Sequence, residues 1–505
     1  MKGKKNLVNF FKKKEFVNVI DYFKKNNELK RDYDSLIILG ISYSALAKYE
    51  EALNYFSQAR DLKYSVEALY NIAITLSLLN KIRDSKNTYL KILQIDKNHL
   101  SSYINLSDIH IQAQDYQHAL DLLTEIVSKN PDNLLLNYNY SVALIKTKKY
   151  SNALKHLNKV INIDDTFLDA YYNKANCLKN MGFIDEAVNI YEEILSKDSQ
   201  HTDSKFNLGI CLLLKGKYEK GLELYENRFL LSQNYNLTHQ PSGGNLLQEM
   251  NVKREAKILV IYEQGFGDSI NFSCYINFLL EIYDNVFVLI QPELLSLFKN
   301  SFECEFYSNI EDIPPYDYYI FMASLPLYIT RKDHPLMNNK PYLKVSSNYL
   351  EKWRPKIDCQ SKKIGIAWCS ANTSLLKRDF DDECFLGYLP DKFNYYCLHK
   401  EISSYAKKTI YESKYIHEFC DDIQDFHDTA AICSLMDYII TIDTSVAHIA
   451  SALGKNTQLA LSHVPDWRWQ LMGEQSVWYK NTKLIRSKKE DENIDLMNRL
   501  DFNFS

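Results

Sequence analysis

Ten cysteines are scattered through the 505 residues without one Cys-x-x-Cys pair. That removes the paired-thiolate pattern of a zinc site or a dithiol redox centre. No metal and no cofactor is expected. Free thiols in a reducing cytoplasm are the simplest account, so a cytoplasmic chain is expected. No apolar run approaches the roughly 20 residues that a membrane-crossing helix needs. The N-terminus lacks the apolar stretch of about 7–15 residues that marks a secretory signal. A net charge of −4 gives no global basic field, which argues against a nucleic-acid partner. Neither a Walker loop nor G-x-G-x-x-G is present. The first thirty residues do hold nine lysines, interleaved with Phe10, Phe11, Phe16, Val19, Ile20 and Phe23. This reads as a solvated first helix, with contact to an anionic surface as the alternative.

What is there is a period. Asn71, Asn105, Asn139, Asn173 and Asn207 recur every 34 residues, the tetratricopeptide spacing. In register with Leu39-Gly40, the positions Tyr43, Ala52, Phe56 and Ala59 alternate large and small. The same pattern returns in later repeats, for example Leu106, Ala119 and Leu123, or Tyr171, Ala175, Ala187 and Tyr191. Small residues let paired helices approach, and large ones fill the gap between them. Cys177 and Cys211 share one repeat position and read as small packing residues. We expect an α solenoid over 1–231, with six repeats plus a degenerate N-terminal half repeat carrying Phe16, Val19 and Phe23. The asparagines fall on the first helix of each repeat, preceded by Tyr70, Ile104, Tyr138, Tyr172 and Phe206. Primary amides carry donors and an acceptor together. A row of them suits the backbone of an extended peptide, with Tyr138 and Tyr172 covering its side chains. The competing reading gives these asparagines a role in local structure. The groove lacks the regular lysines and arginines that clamp a C-terminal carboxylate.

The period stops near Phe229. Residues 232–254, with Pro241-Ser242-Gly243-Gly244, read as a linker. Beyond it, short apolar runs alternate with helical stretches: Lys257–Tyr262, Val286–Ile290, Tyr318–Met322, Ile364–Trp368, Tyr395–His399, Tyr438–Ile442 and Gln458–Leu461. Alternation of this kind predicts α/β units with parallel sheets. A boundary between two such units is expected within 341–363. Ligands of open α/β sheets bind beyond the carboxyl ends of the strands. Two turns there carry suitable chemistry. In Gly265-Phe266-Gly267-Asp268 the glycines allow close backbone approach, and Asp268 is either a general base or an ordinary helix N-cap. In Asp443-Thr444-Ser445-Val446-Ala447-His448, hydroxyls and free N–H groups at a helix start suit a diphosphate. His448, one turn in, is either a phosphate contact or a satisfied core histidine.

Together, Glu263–Asp268 (EQGFGD), Asp443–Gly454 (DTSVAHIASALG) and Pro465–Trp469 (PDWRW) resemble the C-terminal region of bacterial tetratricopeptide-repeat glycosyltransferases. That region is similar to the heptosyltransferases and, more distantly, to O-linked N-acetylglucosamine transferases. The resemblance covers roughly residues 257–486. It implies a GT-B-like pair of Rossmann-like domains, an acceptor-side one over 255–345 and a donor-binding one over 346–505. It implies inverting, metal-independent transfer from a nucleotide-sugar to a protein or surface-glycan acceptor. By position, Asp268 matches the catalytic base. Gly265, Gly267, Asp443, Thr444, Ser445 and His448 match donor-binding positions, and Lys400 lies where such enzymes place a donor-contacting cation. Lys377, Arg378 and Arg468 are candidate phosphate contacts, with Trp467 and Trp469 bracing the site. This chain departs from its relatives at Asn271 and Cys274, where glutamine and arginine are common, and in a loop over 372–379 with fewer arginines. The alternative is a non-enzymatic peptide-binding adaptor on a degenerate transferase domain. A lipopolysaccharide heptosyltransferase proper fits the repeats poorly.

Overall fold

A computed structural model of the chain describes residues 2–231, 241, 243–248, 252–332, 340–357, 361–370, 379–488 and 493–503. The chain divides into two compact units, Met1–Leu178 and Lys179–Ser505.

The first unit is helical. It contains α1 (Lys2–Lys12), α2 (Phe16–Lys25), α3 (Tyr33–Ala45), α4 (Tyr49–Leu62), α5 (Val66–Leu78), α6 (Ile82–Ile95), α7 (Leu100–Gln112), α8 (Tyr116–Lys129), α9 (Leu134–Lys146), α10 (Tyr150–Ile163) and most of α11 (Leu168–Asn180). Helices pair in sequence order, α3 on α4, α5 on α6 and α9 on α10. Several first helices start at a side-chain cap: Asp32 accepts from Ser35 N at 2.9 Å, and Asn133 from Leu136 N at 3.0 Å. The turn inside each pair takes a left-handed residue. These are Lys14, Ala47, Asn80, Gln114 and Lys148, then Gly182 and Gly216 in the second unit. The left-handed residue at Lys14 and the helix α1 before it show that the degenerate N-terminal segment is a whole helix pair rather than half of one. The core of the first pairs is the expected set, with Ala52, Phe56 and Ala59 buried.

The second unit opens with three more repeat helices, α12 (Ile184–Lys197), α13 (Thr202–Leu214) and α14 (Tyr218–Tyr225). Among the described residues, fourteen α-helices thus form the tetratricopeptide half. A five-stranded parallel sheet follows, ordered β1-β5-β2-β3-β4: β1 (Asn245–Leu246), β2 (Lys257–Ile261), β3 (Asn285–Leu289), β4 (Glu305–Tyr307) and β5 (Tyr318–Phe321). Its helices are α15 (Phe266–Phe272), α16 (Ile276–Ile282), α17 (Pro292–Ser301) and α18 (Leu325–Thr330). The segment expected to be a linker supplies β1, paired in parallel with β5.

A six-stranded parallel sheet completes the unit, ordered β11-β10-β9-β6-β7-β8: β6 (Lys363–Ala367), β7 (Asn394–Cys397), β8 (Ile416–His417), β9 (Tyr438–Ile442), β10 (Thr457–Leu461) and β11 (Thr482–Arg486). With it come α19 (Ser347–Trp353), α20 (Asp382–Tyr388), α21 (Ser404–Glu412), α22 (Phe426–Leu435), α23 (Ser445–Ala452) and α24 (Asn493–Met497). The central strands are buried on both faces, as parallel strands covered by helices must be. The α/β expectation therefore holds for this half. Among the described residues no helix is long and apolar enough to cross a membrane.

Candidate functional site

Both glycine-turn and hydroxyl-turn motifs follow strand ends. β2 runs out at Ile261 and the chain turns through Glu263 and Gln264 into α15. The N-cap of α15 is Gly265, with no side-chain cap, so Asp268 sits inside the first turn and is not the cap. β9 ends at Ile442, and Thr444 is the N-cap of α23, again without a side-chain cap bond. Each helix start therefore keeps backbone N–H groups that no cap side chain satisfies. The two helices pack on each other. A methyl group at Gly267 would lie 3.0 Å from His448 Cδ2, so this glycine is needed for the approach. At Gly265 an added Cβ would meet only Asp268 Oδ2, at 3.5 Å.

A cleft of about 620 Å³ opens there. Its walls include Gly265, Gly267 and Asp268 from the first sheet, and Lys400, Asp443, Thr444, Ser445, His448 and Arg468 from the second. Lys377 and Arg378 lie outside the described residues. Asp268 Oδ1 forms an ion pair with Arg468 Nη2, and Arg468 Nη1 pairs with Asp466 at 2.7 Å. The guanidinium also stands 4.8 Å from the ring centroids of both Phe272 and Trp467. It thus lies paired with Asp268 and Asp466 at the cleft wall. Burial pushes the Asp268 carboxyl above the usual carboxylate range, against the pull of Arg468. Lys400 donates to the Gln424 carbonyl at 2.8 Å. His448 is buried, stacked on Trp469 at 5.0 Å, with Nδ1 3.0 Å from the Tyr479 hydroxyl. Tyr479 also accepts from Asn271 Nδ2 at 2.9 Å. Among the described lining residues, six carboxylates (Asp268, Glu293, Glu401, Asp425, Asp443, Asp466) face two cations (Lys400, Arg468).

Three contributors escaped sequence reasoning. His399 lies two residues beyond the end of β7 and lines the cleft, its Nε2 accepting Trp368 N–H at 3.0 Å. Burial lowers its pKa to about 4, so the ring is neutral at pH 7. Its position one residue before Lys400, at a strand end, was the available signal. Tyr479 braces His448 with no local signature. Arg228, fully buried beyond the last repeat helix, holds Glu263 through two bonds of 3.0 and 2.9 Å. Among the described residues no cluster of three or more His, Cys, Asp or Glu side chains could hold a metal ion.

The repeat asparagines act first within the solenoid. Asn71 donates to its own helix at Glu67 O, 2.9 Å. Asn105 donates to Tyr70 and Tyr89 hydroxyls at 3.2 and 3.0 Å. Asn139 donates to Ile104 O and Ser107 Oγ at 3.1 and 3.0 Å. Both amide hydrogens of Asn105 and Asn139 are thus engaged within the solenoid. Asn173 donates to the Tyr138 hydroxyl at 3.2 Å, and Asn207 to Asp203 O at 3.0 Å. Tyr138 also packs edge-on against Phe167 at 4.9 Å, and Tyr172 is half-buried. The local-structure reading of the row is the one the hydrogen bonds follow.

Comparison with known proteins identifies the repeats. Residues 66–99, 110–177 and 172–230 each match a tetratricopeptide-repeat family. No curated protein matches the chain significantly. Among solved structures, the chain is similar to YrrB, a tetratricopeptide protein described as having an unusual peptide-binding site. The identity is 24%, over 34% of this chain and 89% of that one, with a TM-score of 0.31. It is similar to MamA of Desulfovibrio magneticus RS-1 at 17% identity, over 34% and 97%, TM-score 0.32. A tetratricopeptide protein from Parabacteroides merdae matches at 18%, over 46% and 93%, TM-score 0.37.

Proposed function

We propose that the chain is a glycosyltransferase of GT-B type. It transfers a sugar from a nucleotide-sugar to a protein or surface-glycan acceptor, and the tetratricopeptide half recruits that acceptor or a protein partner. The observation that carries this reading is the single cleft where the strand-end turns of both sheets meet, Gly265–Asp268 on one wall and Asp443–His448 on the other. In this reading the diphosphate lies against the start of α23, with the Thr444 and Ser445 hydroxyls and the helix dipole compensating its charge. Lys400 stands on the same wall, and Lys377 and Arg378 are assigned as further phosphate contacts. Asp268 takes the proton from the acceptor hydroxyl as that oxygen attacks the anomeric carbon. The nucleoside diphosphate leaves from the opposite face, so the anomeric configuration inverts. Oδ1 stays with Arg468, and Oδ2, beside Gly265, receives the proton. Burial of Asp268 raises its basicity and favours this role.

A second reading has its own observation. Among the described lining residues six carboxylates stand against two cations, a poor match for a diphosphate, which suits an adaptor whose transferase half no longer turns over. One experiment separates the two. Sugar nucleotides and free nucleoside diphosphates are titrated into the full chain by calorimetry, beside a Thr444→Ala/Ser445→Ala variant. Micromolar binding that the variant loses supports the transferase and names its nucleotide. Silence across the whole panel favours the adaptor. Full turnover by Asp268→Asn would remove the base assignment.

A further inference from the structure

The last repeat is tied into the wall of the cleft. Tyr225 ends α14 and is buried between Phe206, stacked at 5.6 Å, and Trp467 at 5.9 Å. Its hydroxyl accepts a hydrogen bond from Gln264 Nε2 at 2.7 Å. The other end of that amide, Gln264 Oε1, accepts from Arg468 Nη2 at 3.4 Å, and the same nitrogen pairs with Asp268. Three residues further along, Arg228 holds Glu263 and donates to Ser324 Oγ at 2.5 Å, while Ser324 donates to Glu226 at 2.8 Å. Glu263 also accepts from Ala323 N at 3.0 Å. Gln264 O in turn accepts from Gln291 Nε2 at 3.0 Å, and Ser269 Oγ donates to Gln291 Oε1 at 2.9 Å. Consecutive residues of the turn, Glu263 and Gln264, are therefore fixed by side chains of the repeat half, and the next contact outward is the Asp268–Arg468 pair. This junction places a buried arginine and a tyrosine hydroxyl on the two residues that lead into the cleft.

We infer that Tyr225 and Arg228 are positioning residues for the Glu263–Asp268 turn, so that the final tetratricopeptide repeat is part of the candidate site. The role given to Asp268 rests on the transferase reading; the mechanical coupling does not.

Removing Arg228 leaves a buried carboxylate at Glu263, so the test uses Tyr225→Phe, which keeps both ring contacts and deletes one hydrogen bond. Tyr395→Phe, which loses a 3.0 Å bond to Pro390 O elsewhere in the unit, is the control. Amide hydrogen exchange of the full chain is followed over residues 264–272 and 444–452. The Asp268 carboxyl is titrated in the same variants by carbon NMR. Tyr225→Phe is expected to speed exchange in 264–272 by about 3- to 10-fold, the range one hydrogen bond's net contribution allows. Exchange over 444–452 should stay as in the parent. The Asp268 titration should move upward, because Arg468 loses a fixed neighbour. Tyr395→Phe should change neither. Exchange within about twofold of the parent together with an unmoved Asp268 titration would overturn the inference. Uridine and guanosine diphosphate binding is recorded alongside. Failure of the parent chain to bind either counts against the transferase reading and leaves the exchange result to decide the coupling on its own.

Discussion

A methyl group added at Gly267 has no room, whereas one added at Gly265 has a great deal. The first would press on the His448 ring at 3.0 Å, and the second would touch only Asp268 Oδ2 at 3.5 Å, at a φ of −69° that any residue adopts. Gly267→Ala should therefore cost about 1–3 kcal/mol through overpacking, read as a lower urea midpoint. Gly265→Ala should leave stability within about 0.5 kcal/mol of the parent yet weaken nucleotide binding in calorimetry. Equal affinity in Gly265→Ala would mean that no ligand approaches that backbone. His399 makes a second prediction at this scale. Its folded pKa, about 4, lies below the unfolded value of 6.5. The unfolded chain thus binds the extra proton first. The stability contributed by the neutral ring is whole above pH 6.5 and is lost as pH falls toward 4, a change of about 3 kcal/mol. Urea unfolding of the parent and His399→Gln across that window checks it. The glutamine variant should show the shallower slope.

At the scale of elements, the repeats obey a packing rule that one substitution exposes. Gly40 in α3 lies against the ring of Phe56 in α4, and an added Cβ would fall inside the ring's van der Waals envelope. Gly40→Ala should lower the unfolding free energy by about 1–3 kcal/mol without altering nucleotide binding, since both helices belong to the first unit. Loss of binding in that variant would show that the first unit governs the cleft. The strands tell how far sequence reasoning reaches. The buried strands β2, β3, β5, β6, β7, β9 and β10 coincide with apolar runs. The edge strands β1, β4, β8 and β11 did not stand out, because strands this short or only partly covered carry a mixed pattern. The helical stretch after Gly267 is interrupted by a short 3-10 turn at Ser273–Tyr275, between α15 and α16.

On the scale of the whole molecule, hydrogen bonds from Tyr225 and Arg228 cross the boundary expected at residue 254. A fragment beginning at residue 255 lacks Tyr225 and Arg228, so Glu263 loses its cation and the apolar surface under the last repeat is laid open to water together. That fragment should melt well below one beginning at residue 179, measured by circular dichroism. Equal melting temperatures would show that the last repeat is dispensable to the second unit.

The residues of this chain, taken alone, determined the tetratricopeptide period, the class of the second half, and the two strand-end turns that meet at the cleft. Each of these is a local signal, written in spacings of a few residues or repeated every 34. Tertiary structure decided who holds whom. Asp268 meets Arg468 across 200 residues, Tyr225 meets Gln264 across 39, and His448 meets Tyr479 across 31. No periodicity announces such pairs, because they arise from which strand ends and helix ends the packing brings together. The asparagine row makes the same point. Its spacing was visible in the sequence, but the partners of Asn105, Asn139 and Asn173, hydroxyls and a carbonyl on neighbouring helices, exist only once the repeats stack.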